Sequence, residues 1–381
     1  MRGWFKGLNI FFSIIGVVVS AVILLLLVTN FAAVSTFFSV LGLVNTQSLY
    51  DSNSDSLING ATEGIVASLE DPYSRYLDPV TWQDLESKLE AKFGGIGVYV
   101  LQDDEGRHKI VAPIKDTPAF KAGIKNGDII IGINGASTMN MSQDEVVHQM
   151  RGEPGTQLVL TVYRESEGKD YELVIIREII NVPSVDASVL DEVPGTGYIK
   201  LNQFHTQSAR EVADSLNNLV GENHIKGLIL DLRNNGGGEF TASISIASLF
   251  LENGQEVVSV ADSYGHKKVH QASGQSVALP LVVLVNGNSA SASEILAGAL
   301  QDNGRAVLVG EQTFGKGLVQ TIFQLPDGGA LQLTTQKYYT PNGNDINQIG
   351  ITPDYIVESS EDDTQDLQLQ KAVELIKKQL F

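Results

Sequence analysis

The chain has 381 residues, a formal net charge of −19, 43% hydrophobic residues, six histidines and no cysteine. Its length predicts more than one domain, and the absence of cysteine excludes disulfides, a cysteine nucleophile and cysteine-based zinc sites. The acidic balance argues against nucleic acid binding, because the sequence has no basic stripe to neutralise phosphates.

The N-terminal segment has the composition of a membrane-spanning helix. Residues 7–50 carry no charged side chain, and residues 10–28 are almost entirely aliphatic or aromatic. At ~1.5 Å per residue, this apolar run covers roughly the 30 Å of a bilayer's hydrocarbon core. A cleaved signal peptide is the alternative, although its apolar region is usually shorter. The segment therefore predicts an uncleaved transmembrane helix at about residues 10–30.

The charges on either side of this run predict its orientation. Arg2 and Lys6 precede it, and the first charge after it is acidic, at Asp51. Basic residues tend to stay on the cytoplasmic side of a membrane. We therefore expect residues 1–45 to form the anchor, with residues 1–9 as its cytoplasmic tip. The protein would then be a single-pass membrane protein whose catalytic part is extracytoplasmic.

Residues 46–90 predict a helical region that follows the anchor. Leu57, Ala61 and Ile65 recur at four-residue steps, which places them on one face of a helix. Such a face could mediate dimerisation, but packing onto the body of the same chain is the simpler interpretation.

Residues 91–176 carry the pattern of a small peptide-binding domain. A glycine turn at residues 93–97 leads into an alternating strand, and a helix is predicted from Ser142 to Met150. Consecutive backbone N–H groups in such a turn suit an anion, and the strand behind it can accept an extended peptide along its edge. Together with the turn and strand at residues 118–135, this segment resembles a PDZ domain.

The PDZ resemblance implies which residues bind the peptide. The glycine turn would bind the C-terminal carboxylate of a polypeptide, and two apolar side chains of the helix would line a pocket for its last side chain. These residues are Gly94, Gly95, Ile96 and Gly97 in the turn, and Val147 and Met150 on the helix. For the two helix residues, ordinary core packing is the alternative.

The chain from residue 177 onward alternates strands and helices, which is typical of an α/β layered core. Residues 227–233 form an apolar strand that ends at a glycine turn, residues 234–238, just before a predicted helix. Glycine in such a turn lets the backbone approach a ligand closely. Read in isolation, the same turn is equally explained as a tight connection.

A second strand, turn and helix stand at residues 281–300. Residues 282–285 read as a strand buried on both faces, and Ser291 stands three residues before Glu294 at the start of a helix rich in alanine and leucine. This spacing is that of a capping box, which would by itself explain the serine. A serine at a helix N-terminus also lies where free N–H groups can stabilise a developing oxyanion.

Lys316 suggests that Ser291 is a nucleophile as well as a helix cap. It has glycine on both sides and mostly apolar residues around it. A desolvated lysine loses affinity for its proton, so it can act as a base toward a serine hydroxyl. Gln320 follows four residues later, and this even spacing would put both side chains on one side of a strand.

Two other kinds of site compete with a Ser/Lys pair. Residues 310–316 match the first part of a phosphate-binding P-loop, but Gly317 stands where a serine or threonine should hold Mg²⁺, and a strand-like segment follows. A Ser-His-Asp triad would need a histidine held by a carboxylate, and we identify no such carboxylate. The histidines considered are His205, His224, His266 and His270. No metal site is predicted.

These motifs together resemble the C-terminal processing peptidases, also called tail-specific proteases, a family of Ser/Lys serine proteases with a PDZ domain. The resemblance implies a nucleophile, a general base, a residue that orients the base, and two backbone donors of an oxyanion hole. In that order, they are Ser291, Lys316, Gln320, Gly237 and Ala292. One departure is visible, because family members often have proline where Gly236 stands.

The sequence thus predicts an α/β fold, with a crotonase-like layered protease core at residues 177–381, an inserted PDZ domain at residues 91–176 and an N-terminal transmembrane helix. The predicted function is that of a membrane-anchored serine endopeptidase that recognises polypeptide C-termini and needs neither cofactor nor metal. The predicted partners are polypeptide substrates and the membrane. A homodimer is allowed, and binding of nucleic acid is excluded. A catalytically silent or gated peptide-binding scaffold is the alternative.

Overall fold

The computed structural model corrects the predicted membrane location. It describes residues 30–51, 53–90, 92–103, 105–359 and 365–380. The predicted transmembrane helix lies outside these residues except for its last position, Asn30. Among the described helices, none is both long and apolar enough to cross a bilayer. A crossing takes about 20 apolar helical residues, whereas the first described helix, α1 (Phe31–Gln47), has 17. The assignment as a single-pass membrane protein with an extracytoplasmic catalytic part is therefore wrong by this finding.

The chain divides into two compact units, residues 1–78 and residues 79–381. The described part of the first unit contains α1, then α2 (Ser54–Ala67) and β1 (Arg75–Leu77). The side chain of Asn53 caps α2 by accepting hydrogen bonds from the N–H groups of the helix's first turn. Of the apolar face predicted there, Leu57 and Ala61 are half-buried and Ile65 is exposed.

The second unit opens with a helix and a small β-domain. Five strands form an antiparallel sheet in the order β3-β4-β5-β7-β8, with the short β6 beside β5, and β2 pairs separately with β9. Every second residue of β7, from Leu158 to Val162, is buried against the packed side of the sheet. The elements are α3 (Pro79–Glu90), β2 (Lys92–Gly95), β3 (Val98–Gln102), β4 (His108–Pro113), α4 (Pro118–Lys121), β5 (Ile129–Ile133), β6 (Ala136–Ser137), α5 (Gln143–Met150), β7 (Gln157–Arg164), β8 (Lys169–Ile176) and β9 (Glu178–Asn181).

An α/β core follows this domain. Its central sheet has the order β10-β11-β12-β15-β16-β19, in which only the β10–β11 pair is antiparallel. The elements are β10 (Val185–Val189), β11 (Thr196–Leu201), α6 (Ser208–Gly221), β12 (Gly227–Asp231), α7 (Phe240–Ala247), β15 (Leu281–Val285), α8 (Ala292–Asp302), β16 (Val307–Gly310), β19 (Tyr355–Ile356) and α9 (Leu367–Leu380).

Both faces of this sheet are covered by helices, as the continuous apolar runs of its strands predict. On β15, Val282 and Leu284 belong to the apolar cluster that contains the buried side chains of α9. The alternate residues Val283 and Val285 belong to the larger cluster formed with α6, α7 and α8. The prediction of an α/β layered core is therefore confirmed.

A second antiparallel sheet completes the unit. β18 (Ala330–Tyr339) lies between β17 (Leu318–Gln324) and β13 (Glu256–Asp262), and β13 pairs on its other side with β14 (Lys267–Gln271). Helix α8 also packs against β13. One strand of this sheet therefore lies beside the helix that Ser291 caps.

The parallel order of β12, β15 and β16 brings three loops together. Parallel strands present their carboxyl ends at one edge of a sheet, where ligands of α/β proteins usually bind. The glycine turn at residues 234–238 follows β12, the turn that ends at Ser291 follows β15, and the segment with Lys316 follows β16. Segments that are distant in sequence therefore meet at one place.

Candidate active site

Ser291 ends a sharp turn between β15 and α8. Its backbone has φ 57° and ψ −113°, a conformation that side-chain-bearing residues rarely adopt. The turn is fastened to the neighbouring glycine turn, because the N–H of Ala290 and the hydroxyl of Ser293 both donate to the carbonyl of Asn235, at 3.1 and 2.8 Å. Strain at one residue persists only when the surrounding structure holds it, and these bonds supply part of that hold.

A buried tyrosine holds the other side of Ser291. The hydroxyl of Tyr338 donates to the carbonyl of Ser291 at 3.2 Å. Tyr338 is only 1% exposed, and burial raises the pKa of its phenol well above the usual range, so the hydroxyl keeps the proton that it donates. Sequence analysis missed this residue, because a tyrosine in a strand gives no signal of a contact across the fold.

The carboxylate of Glu294 connects the serine segment to the lysine segment. One oxygen accepts from the backbone N–H groups of Ser291, at 2.8 Å, and Lys316, at 2.9 Å. The other oxygen accepts from the hydroxyl of Thr313, at 2.6 Å, and the N–H of Gly315, at 2.7 Å. Glu294 has no exposed surface. Because one oxygen accepts from both, the backbone nitrogens of Ser291 and Lys316 lie close together.

Sequence analysis recognised only part of this role. The spacing of Ser291 and Glu294 predicts that the glutamate accepts from the N–H of the serine, and it does. Nothing in that spacing indicates that the same carboxylate also binds the segment from residue 313 to residue 316.

The glycine turn presses directly against Ser291. Gly237 has φ 96°, and a Cβ added there would lie 2.7 Å from the carbonyl oxygen of Ala290, 2.9 Å from the nitrogen of Ala292 and 3.0 Å from Cβ of Ser291. Only glycine allows this approach without displacing the backbone. The structure therefore brings Gly237 and Ala292, both predicted as oxyanion donors, next to the candidate nucleophile.

The N–H groups of these two residues differ in their surroundings. Ala292 is the first residue of α8, a position whose N–H has no acceptor within the helix. The N–H of Gly237 instead donates to the side-chain oxygen of the buried Asn235 at 2.9 Å. One of the two predicted donors thus already has an acceptor in this structure.

Substitution of Gly237 by alanine tests the close approach. We expect Gly237→Ala to reduce kcat/KM by roughly ten- to a hundredfold, because the new Cβ would push the turn away from Ser291 and displace an oxyanion donor. Gly236→Ala is the matched control, since a Cβ at Gly236 meets no atom within 4 Å. Peptide hydrolysis and thermal unfolding should be measured for both variants. Equal activity of the two would show that the approach is not needed.

Ser291, Lys316 and Gln320 line one cavity of about 470 Å³. Both Ser291 and Lys316 are half-buried. The remaining lining comes from several elements of the second unit and combines apolar side chains with the polar ones of Lys88, Gln203, Glu239 and Gln332. Its apolar side chains are Leu85 and Leu89 of α3, Phe240 of α7, Ile295 of α8, and Leu318, Val319 and Ile322 of β17.

Gln320 reaches this cavity for a reason other than the predicted one. Strand β17 begins only at Leu318, and its pairing with β18 is irregular between Val319 and Gln320. The even spacing from Lys316 therefore does not run along a regular strand. The side-chain amide of Gln320 donates to the carbonyl of Leu318, at 3.4 Å, and to the hydroxyl of Thr334, at 3.3 Å.

The competing sites gain no support from the structure. The described residues that line the cavity include no histidine. His205 is 2% exposed, burial lowers its pKa, and its Nδ1 accepts from the N–H of Gln207. The segment after Gly317 is a strand, whereas a P-loop would continue as a helix. Within the described part of the chain, no cluster of three or more potential ligand side chains could hold a metal ion.

A second cavity, of about 170 Å³, lies in the β-domain between β3 and α5. Gly95, Ile96, Gly97, Val147 and Met150 line it together with Phe93, Val98, Tyr99, Ile114, Arg151 and Val182. Gly94 does not line this cavity, and its carbonyl accepts from the N–H of Gly152 at 3.0 Å. The structure therefore brings together all of the predicted peptide-binding residues except Gly94.

Three regions of the chain match known protein families. Residues 195–357 match Peptidase family S41, and residues 109–164 match the PDZ domain. Residues 29–81 match the family described as the activating protease CtpB N-terminal domain. The match to Peptidase family S41 includes Ser291 and Lys316.

Relatives match over most of their length. The chain is 38% identical to a carboxy-terminal-processing protease of Bartonella bacilliformis over 364 residues, which cover 92% of this chain and 82% of that protein. It is 40% identical to a carboxyl-terminal-processing protease of Synechocystis over 302 residues, 78% of this chain and 70% of that protein. The solved structure of a photosystem II D1 C-terminal processing protease has a TM-score of 0.50 and 32% identity, covering 84% of this chain and 86% of its own.

Proposed function

Because the chain belongs to peptidase family S41, whose members are serine-type peptidases, we propose that it is a C-terminal processing endopeptidase with Ser291 as nucleophile and Lys316 as general base. The observation that carries this proposal is the buried carboxylate of Glu294, which binds the backbone N–H groups of both residues. The two backbones are thereby held close together, and both half-buried side chains line one cavity, which supports their assignment as nucleophile and base.

The proposed reaction runs through an acyl-enzyme. Oγ of Ser291 attacks the carbonyl carbon of the scissile peptide bond, while the unprotonated amine of Lys316 takes the hydroxyl proton. When the tetrahedral intermediate collapses, the C–N bond breaks and Lys316 returns the proton to the leaving amine. Water then attacks the ester carbonyl carbon and gives a proton to Lys316. When the C–O bond to Ser291 breaks, Lys316 returns this proton to Oγ, and the carboxylic acid product leaves. Gln320, on the wall of the same cavity, would orient the amine.

The oxyanion that forms in this reaction would lie between Ala292 and Gly237. The N–H of Ala292 is available at the N-terminus of α8, where the helix dipole also favours negative charge. The N–H of Gly237 would have to turn from Asn235 toward the substrate, or be shared between the two acceptors. The oxyanion hole would therefore be complete only when a bound substrate draws the N–H of Gly237 toward itself.

We also propose that residues 91–176 recognise the C-terminus of the substrate, and that residues 177–381 are the protease core with crotonase-like layering. The support for recognition is the small cavity beside α5, whose walls are glycine backbone on one side and Val147 and Met150 on the other. Backbone N–H groups suit a carboxylate, and the apolar side chains suit an aliphatic last residue.

Recognition of the C-terminus predicts that a free carboxylate matters. The parent enzyme should cleave an unfolded polypeptide that ends in a free apolar residue on the order of tenfold more efficiently than its C-terminal amide. Val147→Asp should remove this preference, because it places a negative charge in the cavity. His148→Asp, on an exposed position of the same helix, should keep it. Equal cleavage of acid and amide by the parent enzyme would refute recognition of the carboxylate.

A further inference from the structure

We infer that the free edge of β14, with Lys268 beside it, is a docking site for an acidic, extended segment of the polypeptide substrate. This inference rests on the proposed peptidase function and adds a selectivity for substrate charge outside the catalytic cavity. Four observations support it: an open strand edge, a row of side chains that leads to Ser291, an aromatic contact with the cavity wall, and local positive charge.

Strand β14 is the last strand of its sheet. It pairs with β13 on one side, and among the described residues no strand pairs with its other side. The backbone N–H and C=O groups along such an edge are free to pair with an added extended peptide. A substrate that is unfolded near its cleavage site offers a strand of that kind.

A row of paired residues runs across the sheet from this edge to the active site. Lys268 of β14 pairs with Val260 of β13, which pairs with Tyr338 of β18. Residues that are directly opposite in neighbouring strands point to the same face of a sheet. The hydroxyl of Tyr338 donates to Ser291, so Lys268 lies on the face of the catalytic serine. Two strand spacings of about 4.8 Å place it roughly 10 Å to the side of Tyr338.

An aromatic contact links the same face of β14 to the cavity wall. His270 follows Lys268 by two residues and therefore points to the same face. Its ring meets the ring of Phe240 edge to face, with centroids 5.2 Å apart. Phe240 lines the catalytic cavity. His270, the neighbour of Lys268 on this face, therefore lies against a residue of the cavity wall.

The charge of this edge is opposite to that of the molecule. The chain has a net charge of −19, but residues 266–270 contain two lysines and no acidic residue, and Asp262 of β13 contacts His266, at 2.9 Å, rather than either lysine. Lys267 and Lys268 are exposed, and neither forms an ion pair with a described residue. A positive charge that is not neutralised beside a peptide-binding edge is complementary to aspartate or glutamate on the bound peptide.

The two neighbouring lysines provide a matched pair of variants. Lys268→Glu reverses the charge on the face of Ser291, and Lys267→Glu makes the same change on the opposite face. Each variant should be tested with peptides that share one neutral sequence and carry a single glutamate, or glutamine as its neutral counterpart, at successive positions on both sides of the cleavage site. A peptide paired with β14 runs along the strand and not across the sheet, so the position in this series that responds to Lys268 gives the register of docking.

We expect the parent enzyme to prefer the glutamate peptide over the glutamine peptide by about three- to tenfold in kcat/KM, and less at high salt, as for a single exposed ion pair. Lys268→Glu should abolish or invert this ratio while it cleaves the glutamine peptide as the parent does. Lys267→Glu should retain the parental ratio. An unchanged ratio in Lys268→Glu, or equal losses in both variants, would overturn the inference.

A binding measurement separates this inference from the proposed function. Fluorescence anisotropy of the same peptides with the Ser291→Ala variant, with and without Lys268→Glu, reports docking without hydrolysis. A charge preference that depends on Lys268 would support the docking site even if the parent enzyme cleaved nothing. Cleavage of the glutamine peptide with no charge preference in binding would support the peptidase and reject the docking site.

Discussion

Replacement of Ser291 by alanine should abolish peptide hydrolysis, with a loss in kcat on the order of 10⁴-fold or more, because the variant has no oxygen to form the acyl-enzyme. Lys316→Ala should lose a similar amount, because the proposed mechanism gives the serine proton to the lysine amine. The carboxylate of Glu239, on the wall of the same cavity, is already bound to the N–H groups of Thr241 and Ala242. Cleavage of an unfolded polypeptide with an apolar C-terminus is the measurement. Ser263→Ala and Lys226→Ala, at exposed positions, are the matched controls.

The double variant makes this prediction sharper. If Ser291 and Lys316 act as one unit, Ser291→Ala/Lys316→Ala should be no slower than either single variant. Additive losses would mean that the lysine acts separately from the serine. Thermal unfolding has to show that each variant is folded. A parent enzyme that binds the polypeptide but never cleaves it would favour the gated scaffold instead.

Replacement of Glu294 should destabilise the fold and inactivate the site together. Glu294→Ala leaves four donors without an acceptor in a fully buried place, so we expect the free energy of unfolding to fall by about 3–5 kcal/mol. Glu294→Gln keeps the shape but turns one acceptor oxygen into a donor group that faces other donors. We expect it to lose roughly 2–4 kcal/mol and most of the activity.

Denaturant unfolding and hydrolysis at low temperature test these two effects separately. Glu222→Gln, at an exposed position, is the control for removal of a carboxylate. At a temperature where Glu294→Gln remains folded, its kcat should still be reduced, because the segments of Ser291 and Lys316 are no longer held by one acceptor. Full activity of the folded variant would restrict Glu294 to a structural role.

Much of this arrangement could be read from local patterns. The apolar run at residues 282–285, the glycine turn at residues 234–238 and the cap before α8 each depend on residues close in sequence. Their backbone preferences act over a few residues, so the strands, turns and helix that contain Ser291 and Gly237 could be located in advance. The resemblance to the C-terminal processing peptidases assigned roles to these residues, and the family itself is confirmed.

The sequence-based predictions failed where a spacing or composition pattern was used for residues that the tertiary structure positions. Even spacing placed Lys316 and Gln320 on one strand, but the strand begins after Lys316 and is irregular before Gln320. Gly94 was assigned to the peptide-binding turn, but it does not line the cavity that the other assigned residues share. The apolar N-terminal run predicted a membrane location that the described helices do not support.

The sequence by itself thus determined the fold class, the family and the local elements that carry Ser291 and Lys316, because periodicity and turn chemistry act between near neighbours. Only the tertiary structure decided which distant groups meet. It brings Glu294 to the N–H groups of both segments, Tyr338 to the carbonyl of Ser291, and Asn235 to the N–H of Gly237. These contacts depend on the parallel order of β12, β15 and β16, and strand order across a sheet leaves no periodic signal in a single sequence.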